Sequence, residues 1–119
     1  MSKKIMVTDD EPSVRATVKA VLGAEGYDVI EANNSDDAWK KIQEDKPDLM
    51  LLDVMMPGMT PKELIEKIKS DSELKSIKII YVTAVMGAKD ALKDEKGIVT
   101  VIEKPFDNAT LIAEVKKAL

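Results

Sequence analysis

The stretch 48-DLMLLDVMMPGM-59 decides the fold. After Asp48 it continues as an apolar run through residue 52, which is typical of a strand buried on both faces of a sheet. The run stops at Asp53, and the Pro57-Gly58 pair predicts a turn shortly afterwards. The stretch therefore predicts a central strand that ends in a carboxylate.

Short apolar runs alternate with helical patterns on both sides of this strand. Four more strands are predicted, at residues 5–7, 28–31, 78–82 and 99–102. Parallel strands need crossover connections, and helices cover both faces of such a sheet. The pattern predicts an α/β fold, a doubly wound five-stranded parallel sheet of the flavodoxin-like (βα)5 type with strand order 2-1-3-4-5.

Five helices fill the intervals between and after the strands. The first repeats valine and leucine on one face from Val14 and closes at Gly26. Ser35 is the predicted N-cap of the second helix, which runs to about Asp45. A capping box of threonine, proline and glutamate at 60–63 opens the third helix, Asp107 opens the fifth, and the fourth, at 87–95, is polar and weakly patterned.

Composition excludes several classes of function. The chain has 119 residues, the size of one domain, and contains neither cysteine nor histidine. Thiol catalysis, zinc–thiolate sites and histidine chemistry are therefore excluded within it. A net charge of −4 and 3% aromatic residues argue against binding of nucleic acid. No apolar run approaches the roughly 20 residues of a membrane span, so we expect no membrane contact and a cytoplasmic protein.

Polar residues fall where the predicted strands end. Asp9 and Asp10 follow the first strand, Asp53 the third, Thr83 the fourth and Lys104 the fifth. Because ligands bind outside the carboxyl ends of the strands in such sheets, these residues converge on one edge. Three carboxylates in one crevice repel each other unless a cation joins them, and a hard cation such as Mg²⁺ suits oxygen ligands.

The same set has the parts of a phosphoryl-transfer centre. Lys104 is a point charge suited to phosphate, and Thr83 provides a hydroxyl donor. Asp53 can act as the nucleophile and form an aspartyl phosphate. The donor has to be another molecule, because the chain lacks histidine and any glycine-rich nucleotide loop.

Four segments together resemble the receiver domain of two-component response regulators, the class of the chemotaxis regulator CheY. The segments are 9-DDEP-12, 52-LDVMMPGM-59, 82-VTA-84 and 104-KPF-106, and the resemblance covers essentially the whole chain. It implies that Asp53 is the phosphorylation site and that Thr83 and Lys104 hold the phosphoryl oxygens. The metal ligands it implies are Asp10, Asp53 and the carbonyl of Met55, with Asp9 beside them through water. It also implies a cis Lys104–Pro105 bond.

The resemblance also implies partners and a mode of action. A sensor histidine kinase or a phosphotransfer protein would donate the phosphoryl group, and a downstream protein would read the state. The chain would be a switch and not a classical enzyme, catalysing only its own phosphorylation and slow dephosphorylation. We expect residues 1–119 to form a single, stand-alone, monomeric receiver domain whose output face comprises the fourth helix, fifth strand and fifth helix.

Two other classes compete with this interpretation. An aspartyl-phosphate hydrolase on a related sheet carries a second aspartate two residues after the nucleophile, where this chain has Met55. A degenerate binding module would be expected to lack Asp10, Asp53 or Lys104, and all three are present. Taken singly, each polar residue also has an ordinary structural role, such as Asp53 before a turn. Their joint placement favours the phosphoacceptor.

Three positions depart from the pattern of the family. The position three residues before Lys104, usually aromatic, is Val101. Polar side chains usually stand two residues after the phosphorylated aspartate and two after the threonine, where this chain has Met55 and Val85. Since neither side chain can hydrogen-bond a water, we expect slow loss of phosphate. The methionines at 50, 55, 56 and 59 are expected to fill the core and pack the turn.

Overall fold

The computed structural model describes residues 3–56, 58–92 and 94–119, and these form one parallel sheet of five strands. The strands are β1 (Lys4–Thr8), β2 (Asp28–Ala32), β3 (Leu49–Leu52), β4 (Lys78–Thr83) and β5 (Thr100–Glu103). Their order is β2-β1-β3-β4-β5, with every neighbouring pair parallel. The predicted fold class and strand order are confirmed.

Helices connect the strands and cover both faces of the sheet. They are α1 (Pro12–Ala24), α2 (Ser35–Asp45), α3 (Pro61–Lys69), α4 (Ala88–Leu92) and α5 (Asn108–Ala118). Alternate residues of each strand point to opposite faces. Met6, Met50 and Tyr81 belong to the buried cluster that includes residues of α2, α3 and α4, while Ile5 and Leu51 belong to the cluster shared with α1 and α5.

The predicted caps of α3 and α5 are confirmed, and that of α2 is wrong. Thr60 Oγ1 accepts the Glu63 N–H at 3.2 Å, and Asp107 Oδ1 caps α5. The N-cap of α2 is Asn34 and not Ser35: its extended backbone places Oδ1 2.7 Å from the Asp37 N–H. Ser35 is instead the first helical residue and is fully buried.

Helix α4 is shorter than the predicted 87–95 range. It covers Ala88–Leu92, and Lys93 lies outside the described residues, as does Pro57 of the predicted turn. Beyond it the chain is fixed by tertiary contacts. The Glu95 side chain bonds to β4, and Gly97 adopts φ +90° so close to α3 that a Cβ there would lie 2.7 Å from Ile65 Cγ2. The 87–95 segment is polar and weakly patterned, so little local signal extends the helix, and these contacts hold the following residues in place.

Trp39, the only tryptophan of the chain, lies on α2 at the edge of the core. It is half-buried against the α2–α3 side of the sheet, and Lys67 Nζ lies 5.4 Å from its ring centroid. This cation–π contact joins α2 to α3. None of the helices in the described ranges has the length and apolar character needed to cross a bilayer.

Candidate phosphoacceptor site

Three aspartates meet at the carboxyl edge of the sheet. Asp9, Asp10 and Asp53 each offer a carboxylate oxygen within 4.8 Å of the others. The backbone ladder continues past the strands, since the Asp9 N–H donates to Ala32 O at 3.1 Å and the Asp53 N–H donates to Thr8 O at 3.0 Å. The sheet itself therefore positions two of the three carboxylates.

Lys104 reaches this cluster from the end of β5. Its Nζ lies 2.7 Å from Asp9 Oδ2 and 3.3 Å from Asp53 Oδ2. The peptide N–H of Lys104 donates to Thr83 O at 2.7 Å, which fixes the residue beside β4. The Lys104–Pro105 peptide bond is cis, as the resemblance implies. Residues that lie 51 and 95 positions from Lys104 in the sequence thus form one buried ion cluster with it.

The remaining oxygens of Asp9 and Asp53 are also engaged. Asp9 Oδ1 accepts the Glu11 N–H at 2.9 Å, and Asp53 Oδ1 accepts the Met55 N–H at 3.0 Å. Both aspartates are almost fully buried, whereas Asp10 is exposed. Asp9 consequently has both oxygens occupied, and Asp10 is the carboxylate best placed to accept a new ligand from solvent.

Burial and charge set the protonation of the central pair. Burial raises the pKa of Asp53 above its ordinary value; the Met55 N–H opposes this, the charge of Asp9 adds to it, and Lys104 opposes it. For Lys104, burial acts to lower the pKa, but hydrogen bonds and charge from Asp9 and Asp53 outweigh burial, so its pKa is raised. The lysine therefore stays an ammonium at neutral pH.

A cavity of about 370 Å³ opens above the cluster. Its walls combine charged and apolar side chains, namely Asp10, Glu11, Asp53, Met55, Ala84, Val85 and Lys104. Met55 is 66% exposed and does not fill the core, whereas Met50 is fully buried and Met56 and Met59 pack against the core as expected. The Met55 N–H donates to Asp53 Oδ1 at 3.0 Å, and the Met55 side chain lines the rim of the cavity.

Thr83 lies behind this cavity and is fully buried. Its Oγ1 accepts the Val85 N–H at 3.1 Å, and it is not among the residues that line the space above Asp53. The structure thus brings Asp9, Asp10, Asp53 and Lys104 together. Thr83 stands at the end of the neighbouring strand with its hydroxyl bonded to the loop that follows.

Two contacts near the site were not anticipated from the sequence. The Tyr81 hydroxyl donates to Glu95 Oε1 at 3.1 Å, and burial beside this carboxylate raises the pKa of Tyr81 far above its ordinary value. Tyr81 shares a face of β4 with Thr83 and pairs in register with Val101. The sequence signal that could have placed Tyr81 on the same face as Thr83 is the alternation of side chains along a strand. The second contact is that of Arg15 with the Asp9 carbonyl, at 2.6 Å.

The donor set fits a divalent cation. Three carboxylates and one ammonium leave two negative charges in excess at a site whose ligands are all oxygen atoms. Mg²⁺ favours one or two carboxylates together with water and phosphate oxygens. Asp10, Asp53 and the main-chain carbonyl of Met55 are the groups that could supply such ligands, and Asp9 adds charge from beneath.

Fold and cluster together define a phosphoacceptor signalling protein built on a doubly wound sheet. The chain belongs to the response regulator receiver domains, since a sequence model described as "Response regulator receiver domain" matches residues 5–116. Receiver domains of two-component systems use Mg²⁺ at their acidic site and accept phosphoryl groups from histidine kinases or phosphotransfer proteins. The resemblance inferred from the sequence is confirmed.

Relatives of different lengths match the chain. It is 35% identical to sporulation initiation phosphotransferase F of Bacillus subtilis, over all of this chain and 95% of that protein. It is 36% identical to the phosphate regulon transcriptional regulatory protein PhoB of Pseudomonas aeruginosa, over all of this chain and 52% of PhoB. The chain therefore spans about half the length of the PhoB proteins that it matches.

Solved structures share the whole fold. The chemotaxis response regulator CheY4 of Vibrio cholerae superposes with a TM-score of 0.91 at 28% identity, with complete coverage of both chains. The response regulator protein TrrA of Thermotoga maritima, solved in complex with Mg²⁺ and BeF, has a TM-score of 0.85 at 35% identity and covers 98% of this chain and 99% of its own.

Proposed function

We propose that Asp53 is the phosphoacceptor of this receiver domain and that Asp10, Asp53 and the carbonyl of Met55 hold Mg²⁺ beside it. The observation that carries the proposal is the position of Lys104, whose ammonium bridges the buried carboxylates of Asp9 and Asp53. An ammonium held there can contact a phosphoryl group once that group is bound to Asp53. The Mg²⁺–BeF complex of TrrA, a relative at 35% identity, supports the same assignment.

Phosphoryl transfer would break the P–N bond of a donor phosphohistidine, or the P–O bond of a small acyl phosphate, and form a P–O bond to Asp53. The ionised carboxylate attacks, and the donor leaves with the electron pair of the broken bond. Lys104 turns from its carboxylate partners to the new phosphoryl oxygens, and the Thr83 hydroxyl donates a hydrogen bond to another of these oxygens. Bound Mg²⁺ would supply neutralisation of the charge on the transferring group.

The apolar rim of the cavity supports slow hydrolysis of the proposed phosphoryl group on Asp53. Met55 and Val85 line the space above Asp53, and both side chains are apolar. Neither can hydrogen-bond a water opposite the phosphoryl group, so hydrolysis lacks positional help. We propose a long-lived phosphorylated state that a phosphatase or back-transfer to the kinase would end.

The output is proposed to appear on the face formed by α4, β5 and α5. Glu103 of β5 accepts the Lys89 N–H of α4 at 3.3 Å, and a groove of about 210 Å³ runs between β5 and α5. Thr83 and Lys104 stand at the upper border of this face. Their movement toward a phosphoryl group would shift the loops that join β4 to α4 and β5 to α5. Val101 stands where the family usually has an aromatic ring that could rotate, so we expect a small conformational change on this face.

The phosphorylation test uses acetyl phosphate with Mg²⁺ and intact-mass measurement. The protein should gain one phosphoryl group, and Asp53→Ala should gain none. Asp28→Ala, which removes an exposed aspartate at the opposite edge of the sheet, is the matched control and should be labelled normally. Undiminished labelling of Asp53→Ala would refute the assignment.

We further propose that residues 1–119 form a single, monomeric receiver domain. Sporulation initiation phosphotransferase F supports this, because the match spans all of this chain and 95% of that protein. Sedimentation of the protein tests the monomeric state. The cytoplasmic location stays a prediction.

A further inference from the structure

The only arginine of the chain lies behind the acidic turn. Arg15 belongs to α1, and its side chain is mostly buried, with 17% exposure. Its Nη1 donates to the main-chain carbonyl of Asp9 at 2.6 Å, and its Nε lies 3.4 Å from Glu31 Oε1. A guanidinium holds two acceptors at once in a fixed planar geometry, which a lysine ammonium does not.

The carbonyl that Arg15 binds controls the direction of the next residue. A peptide unit is planar, so the C=O of Asp9 and the N–H and Cα of Asp10 move together. The N–H of Asp9 is already tied to Ala32 O at 3.1 Å, and both carboxylate oxygens of Asp9 are engaged. The contact from Arg15 fixes the remaining polar group of Asp9 and therefore the point from which Asp10 enters the cavity.

Glu31 holds Arg15 in place from the neighbouring strand. It lies on β2, in register with Val7 of β1, and its carboxylate also lies 3.7 Å from Lys19 Nζ. The Glu31 carbonyl accepts Lys41 Nζ at 2.6 Å. The guanidinium of α1 is consequently tied both to the β2 residue Glu31 and to the Asp9 carbonyl at the end of β1.

We propose that Arg15 is a positioning residue for the cation site: it orients the Asp9–Asp10 peptide so that the exposed Asp10 carboxylate is preorganised for Mg²⁺. This inference rests on the proposed function for the identity of the cation. The direction of the change in Mg²⁺ affinity distinguishes a positioning role of Arg15 from a purely electrostatic one. A positive charge near the site repels Mg²⁺, so loss of charge alone would tighten binding, whereas loss of orientation weakens it.

The experiment compares Arg15→Met, Arg15→Lys and Lys19→Met in the full chain by calorimetric titration with MgCl₂. Lys19→Met is the matched control, because it removes a cation from the same helix and the same Glu31 without touching Asp9. Arg15→Met should raise the Mg²⁺ dissociation constant ~10-fold, the lower end of the effect of residues that orient metal ligands. Arg15→Lys should fall between, and Lys19→Met should bind unchanged or more tightly.

A rate measurement separates positioning from damage to the chemistry. Phosphorylation of Arg15→Met by acetyl phosphate should return to the wild-type rate at saturating Mg²⁺, while the Mg²⁺ concentration for half-maximal rate rises by the same ~10-fold. Mg²⁺ binding by Arg15→Met equal to or tighter than wild type would overturn the inference.

A metal-free readout makes the test independent of the proposed function. In wild-type protein without Mg²⁺, amide exchange and the NMR shift of Asp10 should report one fixed peptide orientation, and Arg15→Met should exchange faster there while Lys19→Met does not. An unchanged Asp10 amide would refute the positioning role even if the protein binds no Mg²⁺. Failure of wild type to bind Mg²⁺ would instead refute the proposed function. If Arg15→Met folds poorly, Glu31→Gln takes its place. This variant loosens the hold on Arg15 and should shift Mg²⁺ affinity and Asp10 amide exchange in the same direction.

Discussion

Replacement of Lys104 by methionine should destabilise the metal-free protein strongly at neutral pH. The ammonium lies 2.7 Å from Asp9 Oδ2 and 3.3 Å from Asp53 Oδ2, and these carboxylates are only 2% and 5% exposed. With an effective dielectric constant of about 20, these separations correspond to attractions of about 6 and 5 kcal/mol. Desolvation of the ammonium offsets much of this, and removal of one partner of a buried pair typically costs ~3–5 kcal/mol.

Thermal unfolding gives a direct measure of this loss. With ~2.1 cal/mol/K of unfolding entropy per residue and 119 residues, the unfolding entropy is about 0.25 kcal/mol/K. A loss of ~3 kcal/mol therefore lowers Tm by about 12 °C. Lys116→Met is the control, because it breaks an exposed pair with Glu25 and should change stability by less than about 1 kcal/mol.

The pH dependence has a defined sign. The pKa of Lys104 is raised above 10.5 by its carboxylate partners, so its contribution is complete below that pH and is lost as pH rises through the folded-state pKa. In acid the contribution also fades as Asp53 protonates, because burial raises the pKa of this carboxylate above its ordinary value. The stability gap between wild type and Lys104→Met should be largest near neutral pH.

Mg²⁺ should rescue this variant more than it stabilises wild type. Without the ammonium, the cation has no competitor for the carboxylates, and Mg²⁺ at 100 times its dissociation constant adds ~2.7 kcal/mol. Chemical denaturation with and without Mg²⁺ measures the rescue. A variant as stable as wild type at pH 7, or one that gains less from Mg²⁺, would refute the cluster energetics.

Three further changes probe the neighbouring groups. Asp10→Ala should weaken Mg²⁺ binding in calorimetry while it raises metal-free stability, because one repelling carboxylate is gone; unchanged affinity would contradict the ligand set. Met55→Asn with Val85→Glu should speed phosphate release up to ~10²-fold, and equal release rates would show that these positions do not set the lifetime. Tyr81→Phe should lower the unfolding free energy in urea by ~1 kcal/mol and move the NMR signals of Glu95, and silence at Glu95 would contradict that contact.

The sequence carried the fold and the acidic cluster because both depend on simple regularities. Apolar runs such as 49–52 predict buried strands, and the carboxyl ends of parallel strands must meet at one edge of the sheet. Asp53 and Lys104 could therefore be placed together although about 50 residues separate them. The roles assigned to these side chains remain predictions that the labelling and titration experiments test.

Other features depended on tertiary contacts that leave little trace in local sequence. The fourth helix covers Ala88–Leu92 and not 87–95; the polar segment carries little local signal for its end, and Glu95 bonds to Tyr81 of β4. The N-cap of α2 was placed one residue late, since Asn34 and Ser35 are both good caps and only the backbone decides between them. Of the four methionines expected to fill the core and pack the turn, Met55 lies exposed on the rim of the cavity, since an apolar residue in a turn carries no sequence signal for the side to which it points.

The position of Trp39 determines what intrinsic fluorescence of this protein can report. Its ring contacts Lys67, six residues beyond the first residue of α3, and at 1.5 Å per residue this is about 9 Å along the helix from the end nearest the pocket. As the sole tryptophan, it dominates the emission on excitation at the indole band. Emission should therefore follow separation of α2 from α3 during unfolding and stay nearly constant during Mg²⁺ titration, so unfolding curves need no label, whereas occupancy of the pocket needs calorimetry, NMR or an introduced fluorophore.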